Sequence, residues 1–144
     1  MNHYADSSFL VSCYVVDANT AQAKAYLSRT GAPLIFTALH LLEVRNAFKL
    51  GVFRGFFTAA DAVAAWRNVA SDLRGVRLVR TTVKWPVVFR VATRLSERRS
   101  MAIGTRSLDI LHVAAAKAAR AVEFASFDTR QRTLAATVGL RVAP

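Results

Sequence analysis

The sequence predicts an α/β fold, a three-layer α/β/α sandwich in which helices cover both faces of a central, mainly parallel five-stranded sheet. Three observations predict it. Short β-rich runs alternate with longer helical patterns, the arrangement that βαβ units produce. No linker, low-complexity tract or internal repeat divides the 144 residues, a length that suits a single domain over 1–144. The hydrophobic content of 53% is ample for a core and excludes a disordered chain.

The strands read, in order, at residues 4–6, at 34–37 directly after Pro33, at 76–80, at 122–126 and at 140–142. The first clear helix carries Leu39, Leu42, Ala47 and Leu50 on one stripe, with Glu43 and Asn46 on the same side. In the next, Ala62, Trp66, Val69 and Leu73 form the apolar stripe, and Thr58 with Asp61 supplies a capping box. Pro86 suits the first turn of a third helix whose apolar side is Val88, Val91, Ala92 and Leu95. Ser107 is placed to cap a helix over 108–120 that is apolar on nearly every face, so it should be deeply buried. In a sheet of this type, sites gather beyond the carboxyl ends of the strands, where the strand order reverses.

Lys and Arg number 20 against 9 Asp and Glu, a net charge of +11, which points to a polyanionic partner, with nucleic acid ahead of membrane. Sixteen of the bases are Arg, the better bidentate phosphate binder. Arg90, Arg94 and Arg98 recur every four residues away from their helix's apolar side and lead towards Arg106, a candidate RNA-backbone track. A solvated helix face is the ordinary alternative for each of them. The single cysteine, Cys13, excludes a disulfide framework and a multi-cysteine zinc site. His3, His40 and His112 have no metal-site spacing, and neither a phosphate-binding glycine loop nor a dinucleotide fingerprint occurs. The apolar run at 9–16 is too short to span a bilayer, and Lys117 and Arg120 interrupt the later one. A soluble, cytoplasmic protein with no membrane partner is expected.

Where the scarce acids fall is more specific. Asp6 and Asp128 each follow a strand, where an aspartate commonly caps the next helix or makes a turn. Glu43 shares the apolar stripe of its helix, which calls for a buried pair, a metal, or a helix rotated to leave it at the edge. Asp109 lies in the first turn of the apolar helix, where the helix dipole favours an acid. Taken together, two acids at strand ends and two on adjoining helices can meet at one edge of a parallel sheet. Clustered carboxylates without His or Cys suit Mg²⁺ or Mn²⁺. In an Arg-rich chain such a cluster suggests hydrolysis of a phosphodiester by metal-activated water. Without metal the repulsion should make Asp109→Asn neutral or stabilising.

Four segments carry a resemblance to a known family: Tyr4-Ala5-Asp6-Ser7-Ser8-Phe9-Leu10-Val11, Leu41-Leu42-Glu43-Val44-Arg45-Asn46-Ala47-Phe48, Arg106-Ser107-Leu108-Asp109-Ile110-Leu111-His112-Val113, and Ser126-Phe127-Asp128-Thr129-Arg130-Gln131. In this order and register the chain resembles PIN-domain proteins from about residue 3 to residue 142, most nearly the VapC-type ribonuclease toxins of bacterial toxin–antitoxin pairs. The resemblance implies a PIN-like α/β/α sandwich. It implies that Asp6, Glu43, Asp109 and Asp128 form the acidic catalytic site, with Ser8 supporting Asp6 and Asn46 following Glu43 by one turn. It further implies a homodimer and inhibition by a small antitoxin protein, often through an arginine reaching into the acids. One departure is that Thr129 and Arg130 follow Asp128, where some relatives carry a second acid. The count then lies between two ions and one ion completed by the substrate phosphate.

The leading expectation is a Mg²⁺- or Mn²⁺-dependent endoribonuclease toxin acting on RNA. Asp6, Asp109 and Asp128 are expected to bind metal, Glu43 to bind metal or orient water, and Ser8 and Asn46 to support them. A non-catalytic RNA-binding or adaptor PIN domain is the alternative. Phosphoryl transfer through an aspartyl nucleophile ranks behind both, since Ser7-Ser8 supply neither a second acid nor a lysine.

Overall fold

The computed structural model describes residues 2–144. Its elements are β1 (His3–Ala5), α1 (Ser7–Tyr14), α2 (Thr20–Thr30), β2 (Leu34–Phe36), α3 (Ala38–Phe53), α4 (Ala59–Arg74), β3 (Leu78–Arg80), α5 (Trp85–Ile103), α6 (Ser107–Ala118), β4 (Glu123–Ala125), α7 (Thr129–Thr137) and β5 (Arg141–Ala143). The five strands form one sheet in the order β3-β2-β1-β4-β5, and every neighbouring pair is parallel. Each strand expected from the sequence is present at three residues: the second, third and fourth are shortened, the first begins one residue earlier and the fifth one residue later.

Alternation along these short strands builds the three layers. Tyr4, Ile35 and Phe124 face one side and pack with Val88 of α5, Ile110 and Val113 of α6 and Leu134 of α7. Ala5, Leu34, Phe36 and Ala125 face the other side and pack with Phe9, Tyr26, Val44, Phe48 and Val69. Helices on both faces explain why the three central strands are buried throughout, His3 and Glu123 included. Among the described residues no helix is long and apolar enough to cross a membrane.

The capping box before α4 is formed as expected: Asp61 N donates to Thr58 Oγ1 at 3.1 Å, and Thr58 N donates to Asp61 Oδ2 at 2.8 Å. Pro86 lies in the first turn of α5. Residues 110–116 of α6 are all buried.

Two expectations change. The α6 cap is not Ser107: the N-cap position is held by Arg106, whose side chain makes no capping bond, and Ser107 is the first helical residue. α5 ends at Gly104 in the left-handed region (φ 72°), so only Thr105 and the extended Arg106 separate it from α6. The buried stripe of α3 is Leu39, His40, Val44, Phe48 and Gly51, while Leu42 is 68% exposed. His40 sets this rotation. Its Nε2 donates to the Ala5 carbonyl at 2.8 Å, while Nδ1 accepts from Thr37 N at 2.9 Å. Burial pushes its pKa down to about 3, so it stays neutral. Drawing His40 inward turns Leu42 out and leaves Glu43 at the helix edge.

Candidate active site

The strand order places the site. The chain lays β2 and β3 to one side of β1, then crosses back to lay β4 and β5 on the other. The connections leaving β1 and β4 therefore diverge, opening a crevice at the carboxyl ends of these two adjacent strands. Asp6 follows β1 directly, and Ser126 and Asp128 follow β4.

Both aspartates cap helices, and both have an oxygen to spare. Asp6 Oδ1 accepts from Phe9 N at 2.7 Å at the start of α1, and Asp128 Oδ1 accepts from Gln131 N at 2.9 Å at the start of α7. The ordinary reading of a strand-end aspartate is thus correct, yet it uses only one oxygen of each. Asp6 Oδ2 lies 2.5 Å from Ser126 Oγ, and Asp128 Oδ2 lies 3.8 Å from Arg106 Nη2.

Ser126 joins the two halves. Its buried hydroxyl accepts from Asp128 N at 3.0 Å and lies 2.8 Å from Gln131 Oε1 as well as beside Asp6. One hydroxyl proton cannot serve both Asp6 and Gln131. With Asp6 ionised, Ser126 donates to it and Gln131 Oε1 goes without; with Asp6 protonated, Asp6 donates to Ser126, which donates to Gln131. Burial does push the Asp6 carboxyl above the ordinary aspartate range; the bonds from Ser126 and Phe9 N, the nearby His112 and the bond from Ser8 oppose this. Ser8 Oγ donates to Asp6 Oδ1 at 2.9 Å.

Asp109 stands in the first turn of α6, with its Oδ2 2.8 Å from Arg106 Nε. One guanidinium thus faces both Asp109 and Asp128. Gln131 Nε2 donates to the Asp109 carbonyl at 3.2 Å and fixes the α6–α7 contact below them.

Glu43 is held from a different side. Its Oε1 lies 2.6 Å from His112 Nε2 and accepts from Ser7 Oγ at 3.3 Å. His112 Nδ1 lies 2.8 Å from the Tyr4 hydroxyl, which burial keeps protonated and therefore a donor. Nε2 then carries the hydrogen directed at Glu43. His112 is buried and hydrogen-bonded, and it orients a candidate site acid.

The sequence-derived residues therefore separate into groups. Asp109 and Asp128 meet at one guanidinium, Asp6 is one serine away from Asp128, and Glu43 is tied to His112. Among the described residues, no three His, Cys, Asp or Glu side chains converge as a metal-holding group. The donor chemistry still suits a hard divalent ion, because the oxygens of Asp109 and Asp128 already share one cation. Asn46 is exposed beside Leu42 and Arg45 on the outer side of α3, and among the described residues no hydrogen bond joins it to Glu43. Arg90, Arg94 and Arg98 are exposed along α5, and among the described residues no ion pair joins them to the four acids. Ser7, Ser126 and Gln131 contribute contacts that sequence spacing did not single out. The nearest signal was that Ser126 lies two residues before Asp128. Glu43, Ser7, Ser8, Asp17 and Asn19 line a cavity of about 310 Å³ next to these groups.

The Arg106 contact reverses one expectation from the sequence. Carboxylate repulsion at Asp109 is already neutralised, and its place in the first turn of α6 is favoured by the helix dipole. Asp109→Asn should therefore cost about 0.5–1.5 kcal/mol in EDTA rather than stabilise, the ion pair being mostly solvent-exposed on the Arg106 side. Urea unfolding of the two proteins measures this, and a gain in stability would restore repulsion as the dominant effect.

No protein-family model and no curated protein matches the chain. Solved structures do match. The sarcin–ricin loop cleaving toxin VapC20 of Mycobacterium tuberculosis superposes with a TM-score of 0.69 at 20% identity, covering 99% of each chain. VapBC2 of Rickettsia felis, bound to a DNA fragment from its promoter, gives 0.68 at 11% identity over 99% of this chain and 97% of that one. FitAcB of Neisseria gonorrhoeae gives 0.61 at 14% identity over 99% and 96%. The all-parallel five-stranded sheet, its helical layers and these end-to-end superpositions give the chain the PIN-domain fold.

Proposed function

We propose that this chain is a metal-dependent endoribonuclease that acts in the cytoplasm as the toxin of a toxin–antitoxin pair. The observation that carries the reading is the placement of Asp109 and Asp128 on one guanidinium, with Asp6 joined to Asp128 through Ser126, in a chain of net charge +11. The likeness to the RNA-cleaving VapC20 supports the same activity. A bound Mg²⁺ or Mn²⁺ would supply an activated water and neutralise charge on the phosphate. Asp6, Asp109 and Asp128 would hold it, Glu43 would bind it or orient the water, and Ser8 and Ser126 would hold Asp6 in place. The arginines of α5 would collect the RNA backbone and add no base reading. The antitoxin partner is supported by the likeness to VapBC2 and FitAcB; a homodimer completes the proposal.

The purified protein should cleave a structured RNA in Mg²⁺ and not in EDTA, with binding that weakens steeply as salt rises. Undiminished cleavage in EDTA would sink the metal reading. One observation favours the rival, a non-catalytic RNA-binding or adaptor domain: no three acids converge among the described residues. Tight, EDTA-insensitive RNA binding with no cleavage would decide for it.

A further inference from the structure

We propose that Arg106 is a resident counter-ion of the acidic site, holding Asp109 and Asp128 while no divalent cation is bound and releasing them when one binds. Once released, the guanidinium is free to take a phosphate of the bound RNA. The inference rests on the reading that these two acids hold metal.

The contacts place the guanidinium on the oxygens that a metal would need. Nε lies 2.8 Å from Asp109 Oδ2, and Nη2 lies 3.8 Å from Asp128 Oδ2, the oxygen that Asp128 does not use in capping α7. Two neighbouring arginines are engaged elsewhere. Arg130 Nη1 donates to the Gly104 carbonyl, and Arg132 Nη1 donates to the carbonyls of Ser126 and Pro144. Among the described residues, Arg106 is the one cation paired with either acid.

Its position in the fold needs the acids to explain it. Arg106 occupies the N-cap of α6, and its side chain makes no capping bond there. The positive end of a helix dipole disfavours a cation at that position. The two carboxylates reverse that preference while they are free to pair, and lose that capacity when a divalent ion takes them.

The pairing is also easy to undo. The Arg106 side chain is 74% exposed, and the Asp128 contact is longer than a hydrogen bond. Gly104, with φ 72°, and the buried Thr105 anchor the backbone, so the long side chain can swing without moving α6. A planar fork that bridges two carboxylates is equally suited to a phosphate.

A resident competitor lowers the apparent affinity for the ion by the fraction of time it holds the site. Calorimetric titration of the metal-free full-length protein with MgCl₂ should therefore show Arg106→Gln binding roughly three- to tenfold more tightly than wild type. Arg106→Lys, which keeps the charge without the fork, should fall between them, and Asp109→Asn should bind far more weakly. The second readout is the Arg106 Nε–H resonance of the wild-type protein, ordered in EDTA and mobile in saturating Mg²⁺. Equal or weaker Mg²⁺ binding by Arg106→Gln, or an Nε–H that stays ordered in Mg²⁺, overturns the proposal while leaving the metal site intact. Absence of saturable Mg²⁺ binding by both wild type and Arg106→Gln overturns the metal reading and the proposal together. The resonance measurement needs no variant to fold.

Discussion

Asp6→Asn is expected to reduce RNA cleavage by roughly 100-fold or more while leaving the protein at least as stable as the wild type. Loss of one carboxylate from the proposed metal-binding set would remove part of an interaction worth several kcal/mol in the transition state, and each factor of ten corresponds to about 1.4 kcal/mol. The fold should tolerate the change. Asparagine caps helices as well as aspartate does, so the bond from Phe9 N to Oδ1 is retained. The amide nitrogen replaces Oδ2 and donates to Ser126 Oγ, which then gives its single proton to Gln131 Oε1. The proton count closes without a buried charge.

The pH dependence gives a second check on this variant. Because burial raises the Asp6 pKa in the folded state, the folded protein binds this proton more tightly than the unfolded chain does. Stability linked to Asp6 is thus fully present below the ordinary aspartate range and is lost as pH rises through the raised value. Asparagine does not titrate. Any gain in melting temperature for Asp6→Asn should therefore appear near neutral pH and vanish in acid. Cleavage at wild-type rates would remove Asp6 from the site, and a large stability loss at neutral pH would show that its charged form is structural.

Ser126→Ala should be the most destabilising conservative change at the site, by about 2–4 kcal/mol in urea unfolding. The methyl group leaves Asp6 Oδ2, Gln131 Oε1 and Asp128 N without their shared partner, and an unsatisfied buried polar group costs about 1–3 kcal/mol. The Ser126 bond is also the first of the contacts restraining the rise in the Asp6 pKa. Its loss raises that pKa further, so the variant's deficit should grow as pH climbs from the acid side towards neutral. Cleavage should fall by about 10–100-fold, the usual effect of losing a residue that orients a metal ligand. A stability change under 0.5 kcal/mol would mean that the three contacts do not act through this hydroxyl.

Much of this was legible in local sequence. The alternation of short β-rich runs and helical stripes marked all five strands, since a parallel sheet covered on both faces favours apolar residues in its strands. The Thr58–Asp61 box, Pro86 in the first turn of α5 and the burial of residues 110–116 are likewise local or compositional facts. Asp6 and Asp128 were visible as acids directly after strands in a chain short of acids.

What the tertiary structure decided was which oxygen and which face each residue offers. His40 reads as any polar residue in a helix, but the Ala5 carbonyl across the sheet draws it inside and rotates α3, turning Leu42 outward and bringing Glu43 to His112. Ser126 reads as the last residue of the fourth strand, yet only the pairing of β1 with β4 places its hydroxyl against Asp6, 120 residues away in sequence. Arg106 reads as one more arginine of a basic surface, and only the three-residue turn between α5 and α6 lays it over Asp109 and Asp128. Local sequence determined the elements because propensity, capping and periodicity act over a few residues. The acidic site depended on the fold because its contacts join groups that only sheet order brings together.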